Sequence, residues 1–282
     1  AAAQDAKIPF MLSGGSAATI EQITKIAPDV TWQQLYTARD PAITDDIVRR
    51  GRDAGAKVLV ITVDAPLPPQ NDWLARTGIK IPVGVPLTSW PYVAWQLLKH
   101  PRWGLEHARR GGLPKMESWS AYARPGAGTA EVSRIKLAQI PSVCTWAEVE
   151  RIRKLWPGPL VLKGIVHPED ARRAADIGAE GITVSNHGGN MLDRAPAALD
   201  ILRAMPPSAR GANVCLFDGG IRRGSDIAVA LANGADFCFV GRATLFGAIA
   251  GKKSGAVRAI SILREELERT MVNIGCGSVT EI

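Results

Sequence analysis

The sequence lacks the features of several protein classes. No run of apolar residues approaches the roughly 18 that a membrane-spanning helix needs, and no basic start with an apolar core marks a secretory signal peptide. The cysteines are few and widely spaced, without a Cys-x-x-Cys pair, which argues against a zinc site or a disulfide framework. We therefore expect no metal, a reducing cytoplasmic location, and free thiols at Cys144, Cys215, Cys238 and Cys276.

Charge and tryptophan are unevenly distributed along the chain. The 282 residues are 46% apolar and 22% charged, which is typical of a globular protein. The net charge is +7, and residues 65–140 alone hold ten Lys and Arg against four Asp and Glu. The same segment contains five of the eight tryptophans: Trp73, Trp90, Trp95, Trp103 and Trp119. The basic character therefore belongs to one segment rather than to the whole chain.

Short apolar runs alternate with amphipathic stretches. This alternation predicts a parallel sheet covered on both faces, either a (β/α)₈ barrel or a doubly wound sheet. The predicted strands are residues 8–13, 30–36, 57–64, 160–164, 181–185, 213–217 and 237–240, and the main predicted helices are 19–26, 42–54, 168–177, 195–204, 225–232 and 256–271. A closed barrel needs eight strands, so we expect the missing one to be unrecognised or to precede Ala1.

Residues 65–140 interrupt this alternation and form a predicted insertion. The segment is rich in Pro, Gly and Trp and has little periodicity before residues 92–110. A connection this long is usually a lid or binding element, and a structural excursion packed on the barrel flank is the alternative. Its basic and Trp-rich composition also suits peripheral contact with a membrane, whereas no groove-binding motif supports nucleic acid.

Polar side chains stand at the ends of nearly all the predicted strands. In a parallel barrel, these ends and the loops after them form the active-site face. Any one such residue could be a cap or turn residue, but together they favour a site. They are Ser13, Gln34, Tyr36, Thr62, Asp64, Lys163, Ser185, Asn186, His187, Asp218, Gly241 and Arg242.

His187 is the candidate general base. It follows a predicted strand directly, in the run SNHGG, whose glycines let the backbone approach a ligand closely. A neutral imidazole there could accept a proton, and Asp64 at another strand end could orient it and stabilise its protonated form. This pair suggests proton abstraction from an alcohol or a carbon acid.

The last two predicted strands are followed by a phosphate-binding pattern. The runs are DGGIRRG at 218–224 and GR at 241–242. Glycine amides and a guanidinium fork from Arg222 or Arg242 would hold the anion. Lys163 would place a cation near a reactive ring, which favours a flavin because its reduction leaves negative charge. A phosphate-binding barrel isomerase without flavin is the alternative.

Together these motifs resemble the FMN-dependent α-hydroxy acid oxidase and dehydrogenase family. The similar runs are QLY at 34–36, ITVDAP at 61–66, LVLKG at 160–164, SNHGG, DGGIRRG and GR, and the resemblance extends from Pro9 to the end. It implies a single FMN-binding TIM-barrel domain over residues 1–282, a lid-like insertion after the family's fourth strand, and a homotetramer. It also implies that the natural chain continues ahead of Ala1 with the first βα unit.

The resemblance also implies a role for each matched residue. His187 would be the base, Asp64 its acidic partner, and Tyr36 the residue that contacts the substrate hydroxyl. Lys163 would lie beside the flavin N1 and O2. The other implied flavin contacts are Ser13, Gln34, Thr62 and Ser185 for the ring, and Asp218, Gly219, Gly220, Arg222, Gly241 and Arg242 for the ribityl chain and phosphate.

Two departures from the family pattern concern the substrate. Where the family has two arginines that bind the substrate carboxylate, this sequence has Asn71 and Asn190. Losing two charge-assisted contacts would weaken binding of a small 2-hydroxy acid by about 10²–10⁴-fold. We therefore expect a larger, neutral or amide-like substrate that hydrogen-bonds to both asparagines, unless Arg76 or Arg194 supplies a guanidinium instead.

The sequence thus favours an FMN-dependent oxidoreductase that oxidises a hydroxyl-bearing carbon. The substrate would be a 2-hydroxy acid or a relative such as an amide, an ester or a larger alcohol. The electron acceptor, whether oxygen, a quinone or a protein, is left open. The alternative is a flavin-binding family member with altered or lost catalysis that serves in binding or assembly.

Overall fold

Seven parallel strands form one sheet in the computed structural model, which describes residues 1–67, 76, 87–109, 112, 114–140, 142–211 and 213–282. Each strand pairs with the next one along the chain, as in a (β/α)₈ barrel. The strands are β1 Phe10–Leu12, β2 Thr31–Leu35, β3 Leu59–Thr62, β4 Leu160–Ile165, β5 Gly181–Val184, β6 Val214–Asp218 and β7 Phe237–Phe239. All seven predicted strands are therefore confirmed.

Helices follow most of the strands, and further helices lie in the insertion. They are α1 Ala2–Ala6, α2 Ile20–Ile26, α3 Pro41–Asp53, α4 Trp90–Lys99, α5 Pro101–Arg109, α6 Thr129–Gln139, α7 Trp146–Leu155, α8 Pro168–Asp176, α9 Ala198–Ala204, α10 Pro207–Arg210, α11 Gly224–Ala232 and α12 Arg242–Ile274. The helix predicted over 195–204 begins at Ala198, and the one predicted over 256–271 belongs to a longer helix with a kink at Gly251 and Lys252. Helix α7 was not predicted.

The starts of the helices follow from local sequence. Thr19 and Gln22 form a reciprocal capping box at α2, and Asp40 caps α3, whose first residue is Pro41. Pro41 suits this position because its fixed φ matches the helix and its missing N–H would have no partner there. These caps determine the residues at which α2 and α3 begin.

The sheet is curled rather than flat. Trp32 on β2 packs edge-on against Phe239 on β7, with ring centroids 5.3 Å apart. Five steps of a flat sheet would separate these strands by about 24 Å. The two rings lie in an inner cluster with Val58, Val60, Val161 and Leu216. The larger core lies between the outer face of the sheet and the helices, around residues such as Ile61, Leu162 and Ile182.

The described part of the insertion is largely helical. It contains α4, α5, α6 and a 3₁₀ segment at Glu117–Tyr122. The periodicity over residues 92–110 agrees with α4 and α5, whereas most of the stretch before residue 92 lies outside the described residues. Trp119, with Ala38, Ala127 and Val132, forms a separate small core. None of the helices among the described residues is both long and apolar enough to cross a bilayer.

Candidate active site

A cavity of about 510 Å³ opens at the carboxyl ends of the strands. Such a volume suits a cofactor, since cofactor pockets span about 300–1,000 Å³. Its lining combines glycine backbone, three cations and one imidazole: Met11, Lys163, His187, Gly188, Asn190, Asp218, Gly219, Gly220, Ile221, Arg222, Phe239, Val240, Gly241 and Arg242. Many residues that the sequence singled out therefore share one cavity.

His187 lies between two polar partners. Its Nδ1 is 2.9 Å from Asp64 Oδ1, and its Nε2 is 3.4 Å from the Tyr36 hydroxyl. An ionised carboxylate can only accept, so the neutral imidazole carries its proton on Nδ1 and presents the Nε2 lone pair. The backbone N–H of His187 donates to Ser185 Oγ at 3.0 Å, which holds the residue in its left-handed conformation at φ 55°. The imidazole is therefore arranged as a proton acceptor.

Tyr36 remains a hydrogen-bond donor at neutral pH. Burial of the phenol, together with the nearby negative charge of Asp64, raises the pKa of Tyr36 to about 12. Its ring stacks near that of His187, with centroids 6.5 Å apart and planes 22° apart. A substrate oxygen beside Nε2 would therefore meet both a base and a neutral donor.

Gly164 makes room for Asp64. It has φ 99° and lies at a register shift between β4 and β5. A Cβ at this position would be 2.4 Å from Asp64 Cγ, a distance that no side chain tolerates. Asp64 Oδ2 is buried without a hydrogen-bond partner among the described residues. The sequence contained a hint of this role, since a glycine inside a strand often marks a bulge or a close approach.

A charged network lies beneath the cavity. Lys163 Nζ is 3.0 Å from both Ser185 Oγ and Asp218 Oδ2, and the Ser185 hydroxyl donates to Asp218 Oδ1 at 2.6 Å. Lys163 and Asp218 are mostly buried, so each needs its partner. The network fixes the Lys163 ammonium at the cavity, where it can stabilise negative charge.

Gln34, Thr62 and the loop after β1 form a second connected group. Gln34 Nε2 donates to Thr62 Oγ1 at 2.9 Å, and the Gly14 N–H donates to Gln34 Oε1 at 2.7 Å. Gln34 and Thr62 are buried, whereas Ser13 is exposed and accepts from the Gly15 N–H at 3.2 Å. Gln34 and Thr62 thus lie on one hydrogen-bonded unit, and Ser13 lies in the loop that joins it.

Some backbone N–H groups of the predicted phosphate-binding run already donate to carboxylates of the protein. The N–H groups of Arg222 and Arg223 both donate to Asp226 Oδ2, and that of Gly224 donates to Glu266. Of the glycine amides expected to hold the anion, that of Gly224 therefore already has a partner. The groups left for an anion are those of the Gly219–Gly220 turn, the first turn of α12 and the guanidinium groups. Arg242 Nη2 is 3.1 Å from the place of a Cβ on Gly188, so its side chain extends over the loop after His187.

The substrate-binding predictions fall partly outside the described residues. Asn190 lies on the cavity, directly after the 3₁₀ turn His187–Gly189. Asn71 lies outside the residues that the structure describes. Arg76 and Arg194 are exposed, and neither is among the residues that line the cavity. Asn190 therefore lies near His187, and its contact with a substrate stays a prediction.

The residues present fit a flavin mononucleotide. Lys163, Arg222 and Arg242 supply positive charge around a cavity of suitable volume, and left-handed glycines at 219 and 220 bring backbone close to it. A phosphate with two negative charges matches the guanidinium end, and an electron-accepting ring matches the Lys163 end.

Comparison with known proteins gives the same assignment. The model of the FMN-dependent dehydrogenase family matches residues 1–282. The crystal structure of the monotopic membrane protein (S)-mandelate dehydrogenase is 32% identical with a TM-score of 0.89, and the match covers 99% of this chain and 72% of that one. The crystal structure of mandelate oxidase with (S)-2-phenylpropionate is 31% identical with a TM-score of 0.77, over 99% and 69% of the two chains. The protein therefore belongs to the FMN-dependent dehydrogenase family, as an oxidoreductase of the α-hydroxy-acid type with a TIM-barrel fold.

Proposed function

We propose that this protein oxidises a hydroxyl-bearing carbon next to a carboxyl-derived group, with His187 as the base. The observation that carries the proposal is the Asp64–His187–Tyr36 arrangement, in which Nδ1 is held by a carboxylate and Nε2 faces a phenol. The solved structures that resemble this chain include an (S)-mandelate dehydrogenase and a mandelate oxidase. Those names favour a substrate with a hydroxyl on the carbon next to the carboxyl carbon.

Each residue of the site has its own role in the proposed reaction. His187 Nε2 takes the proton of the substrate hydroxyl, and Asp64 stabilises the imidazolium that results. Tyr36 donates a hydrogen bond to the same substrate oxygen and so orients it. When bound, FMN supplies a two-electron acceptor that takes the hydride equivalent from the substrate carbon. Lys163 stabilises the negative charge that accumulates at its end of the cavity.

Asn190 points to the substrate class. An asparagine can donate to the carbonyl of an amide or ester and can accept from an amide N–H, but it offers no charge to a carboxylate. A free carboxylate would therefore lose the ion pair and the two parallel hydrogen bonds that an arginine provides. The substrate is a 2-hydroxy amide, a 2-hydroxy ester or a larger neutral relative, with Asn71 as the second contact.

Anaerobic bleaching of the bound flavin near ~450 nm tests this directly. Glycolate, lactate and mandelate are compared with their amides and esters at equal concentration. We expect the amides or esters to bleach the flavin at least about tenfold faster. Asn190→Arg should reverse this preference, with Asn273→Arg, at an exposed position near the end of α12, as the control. Fast bleaching by a free acid would overturn the substrate assignment, and no bleaching by any compound would favour a binding role without catalysis.

A second proposal concerns the surface formed by α4 and α5. Trp90, Trp95 and Trp103 are each more than half exposed there, and other exposed apolar side chains on the two helices are Tyr92, Leu97, Leu98 and Leu105. Lys99 lies 4.9 Å from the Trp95 ring, which combines a cation and an aromatic group as at lipid interfaces. We infer that this surface binds the face of an anionic membrane without crossing it. The related monotopic (S)-mandelate dehydrogenase supports this inference.

Sedimentation with vesicles tests the membrane proposal. Full-length protein should sediment with phosphatidylserine vesicles at low salt and less at high salt, since exposed charge attraction is screened. Replacing Trp90, Trp95 and Trp103 together by Ser should abolish sedimentation. The control replaces Val272 and Ile274, which are exposed at the end of α12, by Ser. Equal sedimentation of both variants would contradict the proposal.

A further inference from the structure

The 3₁₀ segment Glu117–Tyr122 of the insertion is built into the barrel. Trp119 is only 2% exposed, and its Nε1–H donates to the backbone carbonyl of Gly14 at 2.9 Å. The Ser118 hydroxyl donates to the same carbonyl at 3.1 Å. Two donors from the insertion therefore hold one peptide group in the loop that follows β1.

Gly14 also contacts the next strand through its N–H, which belongs to the neighbouring peptide group. The N–H of Gly14 donates to Gln34 Oε1, and Gln34 Nε2 in turn donates to Thr62 Oγ1. The Gln34 amide is buried, so it cannot exchange these partners with water. Because Thr62 Oγ1 accepts from Gln34, its own hydrogen is directed elsewhere. A series of hydrogen bonds thus connects Trp119 and Ser118 of the insertion, through Gly14 and Gln34, to Thr62.

Gly14 suits this position because it has no side chain. A Cβ there would lie 3.3 Å from the carbonyl oxygen of Gln34 and 3.3 Å from Tyr36 Cδ2. The loop therefore approaches β2 closely, and a change in its position moves the Gln34 amide.

A second contact keeps the segment in place. The Arg50 guanidinium on α3 pairs with Glu21 at 2.8 Å and donates to the carbonyl of Ser118 at 3.4 Å. The Tyr122 hydroxyl donates to Asp46 at 2.7 Å. The segment is thus held from both α3 and the β1 loop, as a fixed part of the barrel wall.

We propose that Trp119 is a positioning residue for the FMN site. Acting through Gly14, it sets the Gln34 amide and the Thr62 hydroxyl in the orientation that receives the flavin ring. This inference rests on the assignment of Gln34 and Thr62 as flavin contacts. The insertion then contributes to cofactor affinity, in addition to any action as a lid.

The chain supplies a matched control for the test. Trp156 is also 2% exposed, and its Nε1–H also donates to a backbone carbonyl, that of Pro159, at 2.9 Å. Pro159 precedes β4 and so lies at the opposite end of the sheet from the site. Trp119→Phe and Trp156→Phe therefore remove the same kind of hydrogen bond from similar surroundings.

The measurement is the FMN dissociation constant of the full chain, from quenching of flavin fluorescence. Losing a buried donor should weaken FMN binding by about five- to tenfold in Trp119→Phe, and by less than about twofold in Trp156→Phe. Gln34→Ala should abolish the difference that Trp119→Phe makes, since Trp119 acts through Gln34. Equal constants for the two Trp variants, or additive effects with Gln34→Ala, would overturn the proposal.

Ser118→Ala provides a milder variant if Trp119→Phe does not fold. It removes one of the two donors to Gly14 and should weaken FMN binding about two- to threefold, and an unchanged constant would count against the proposal. The FMN dissociation constants do not depend on whether the proposed reaction takes place. Wild-type protein that binds FMN but oxidises no substrate would defeat the proposed function and leave the comparison of dissociation constants valid.

Discussion

Single residues around His187 combine polar chemistry with tight packing. The Asp64 carboxylate uses one oxygen for the imidazole, and its other oxygen is buried without a partner among the described residues. Leaving a carboxylate oxygen unsatisfied costs free energy, so the position of Asp64 is enforced by its surroundings. Gly164 is the residue that allows this position, because any side chain there would displace the carboxylate.

Asp64→Asn is expected to reduce the rate of flavin bleaching by about 10²–10⁴-fold while leaving FMN bound. The amide cannot stabilise the imidazolium as a carboxylate does, and it can reverse the tautomer of the imidazole. Stopped-flow absorbance measures the rate, and Asp200→Asn, on the exposed face of α9, is the control. A loss below about tenfold would mean that Asp64 does not support the base.

We expect Gly164→Ala to lose activity because it disturbs the pairing of Asp64 with His187. The added methyl group displaces Asp64, so neutral His187 should move toward the Nε2–H tautomer, which ¹⁵N NMR detects among only four histidines. Gly178→Ala is the control, because Gly178 has φ 80° but open space where the Cβ would lie. If both alanine variants kept the wild-type tautomer, backbone strain rather than Asp64 would explain any loss.

Between elements, a partly buried ion pair joins Glu21 of α2 to Arg50 of α3, and Arg50 also donates to the carbonyl of Ser118 in the insertion. Burial alone would raise the pKa of Glu21, but hydrogen bonds from Arg50 and Thr19 lower it to about 2. A carboxyl whose pKa falls on folding stabilises the folded state above its ordinary pKa and loses this effect as the pH approaches the folded value. The contact between α2, α3 and the insertion therefore persists at neutral pH.

Glu21→Gln should accordingly reduce the free energy of unfolding at pH 7 by about 1 kcal/mol, a small value because Glu21 is partly exposed and the pair is screened. The difference from wild type should shrink as the pH falls from about 4.5 toward 2. Urea unfolding at several pH values measures it. Asp53→Asn, which affects an exposed pair with Arg52, should change little, and a pH-independent loss in Glu21→Gln would contradict the assignment.

At the scale of the whole molecule, the sheet has two open edges among the described residues. Strand β1 pairs only with β2, and β7 pairs only with β6. Beside β7 lies a mainly apolar groove of about 610 Å³, between α1, α11 and α12. Unpaired strand edges and apolar grooves favour association with another chain.

The 282-residue chain should therefore self-associate as its concentration rises, as light scattering after size exclusion would show. Phe10→Lys places a charge on the β1 edge and should lower the apparent mass. Val214→Lys is the control, since β6 has a neighbour on both sides. A fixed mass at every concentration would instead support the closed homo-oligomer that the family resemblance implies.

The strands and most of the polar residues at their ends can be predicted from the amino-acid sequence alone. Apolar runs such as residues 57–64 indicate buried parallel strands because both faces of a parallel sheet are covered, so that side chains on either side of the strand are buried. The same local pattern placed Lys163, Ser185, His187 and Asp218 at strand ends, where the barrel topology brings them together. It missed α7, whose buried positions Val149 and Ile152 form too short an apolar stripe to stand out.

The contacts between segments far apart in the sequence become visible only in the folded chain. Trp119 and Gly14 are 105 residues apart, and Asp64 and His187 are 123 residues apart, so no local pattern specifies either contact. Nor does composition reveal that Asp226 takes the amides at the start of α11, or that Gly164 must lack a side chain for Asp64 to fit. These facts depend on the curling of the sheet, which brings the strand ends together and leaves each side chain only the space its neighbours allow.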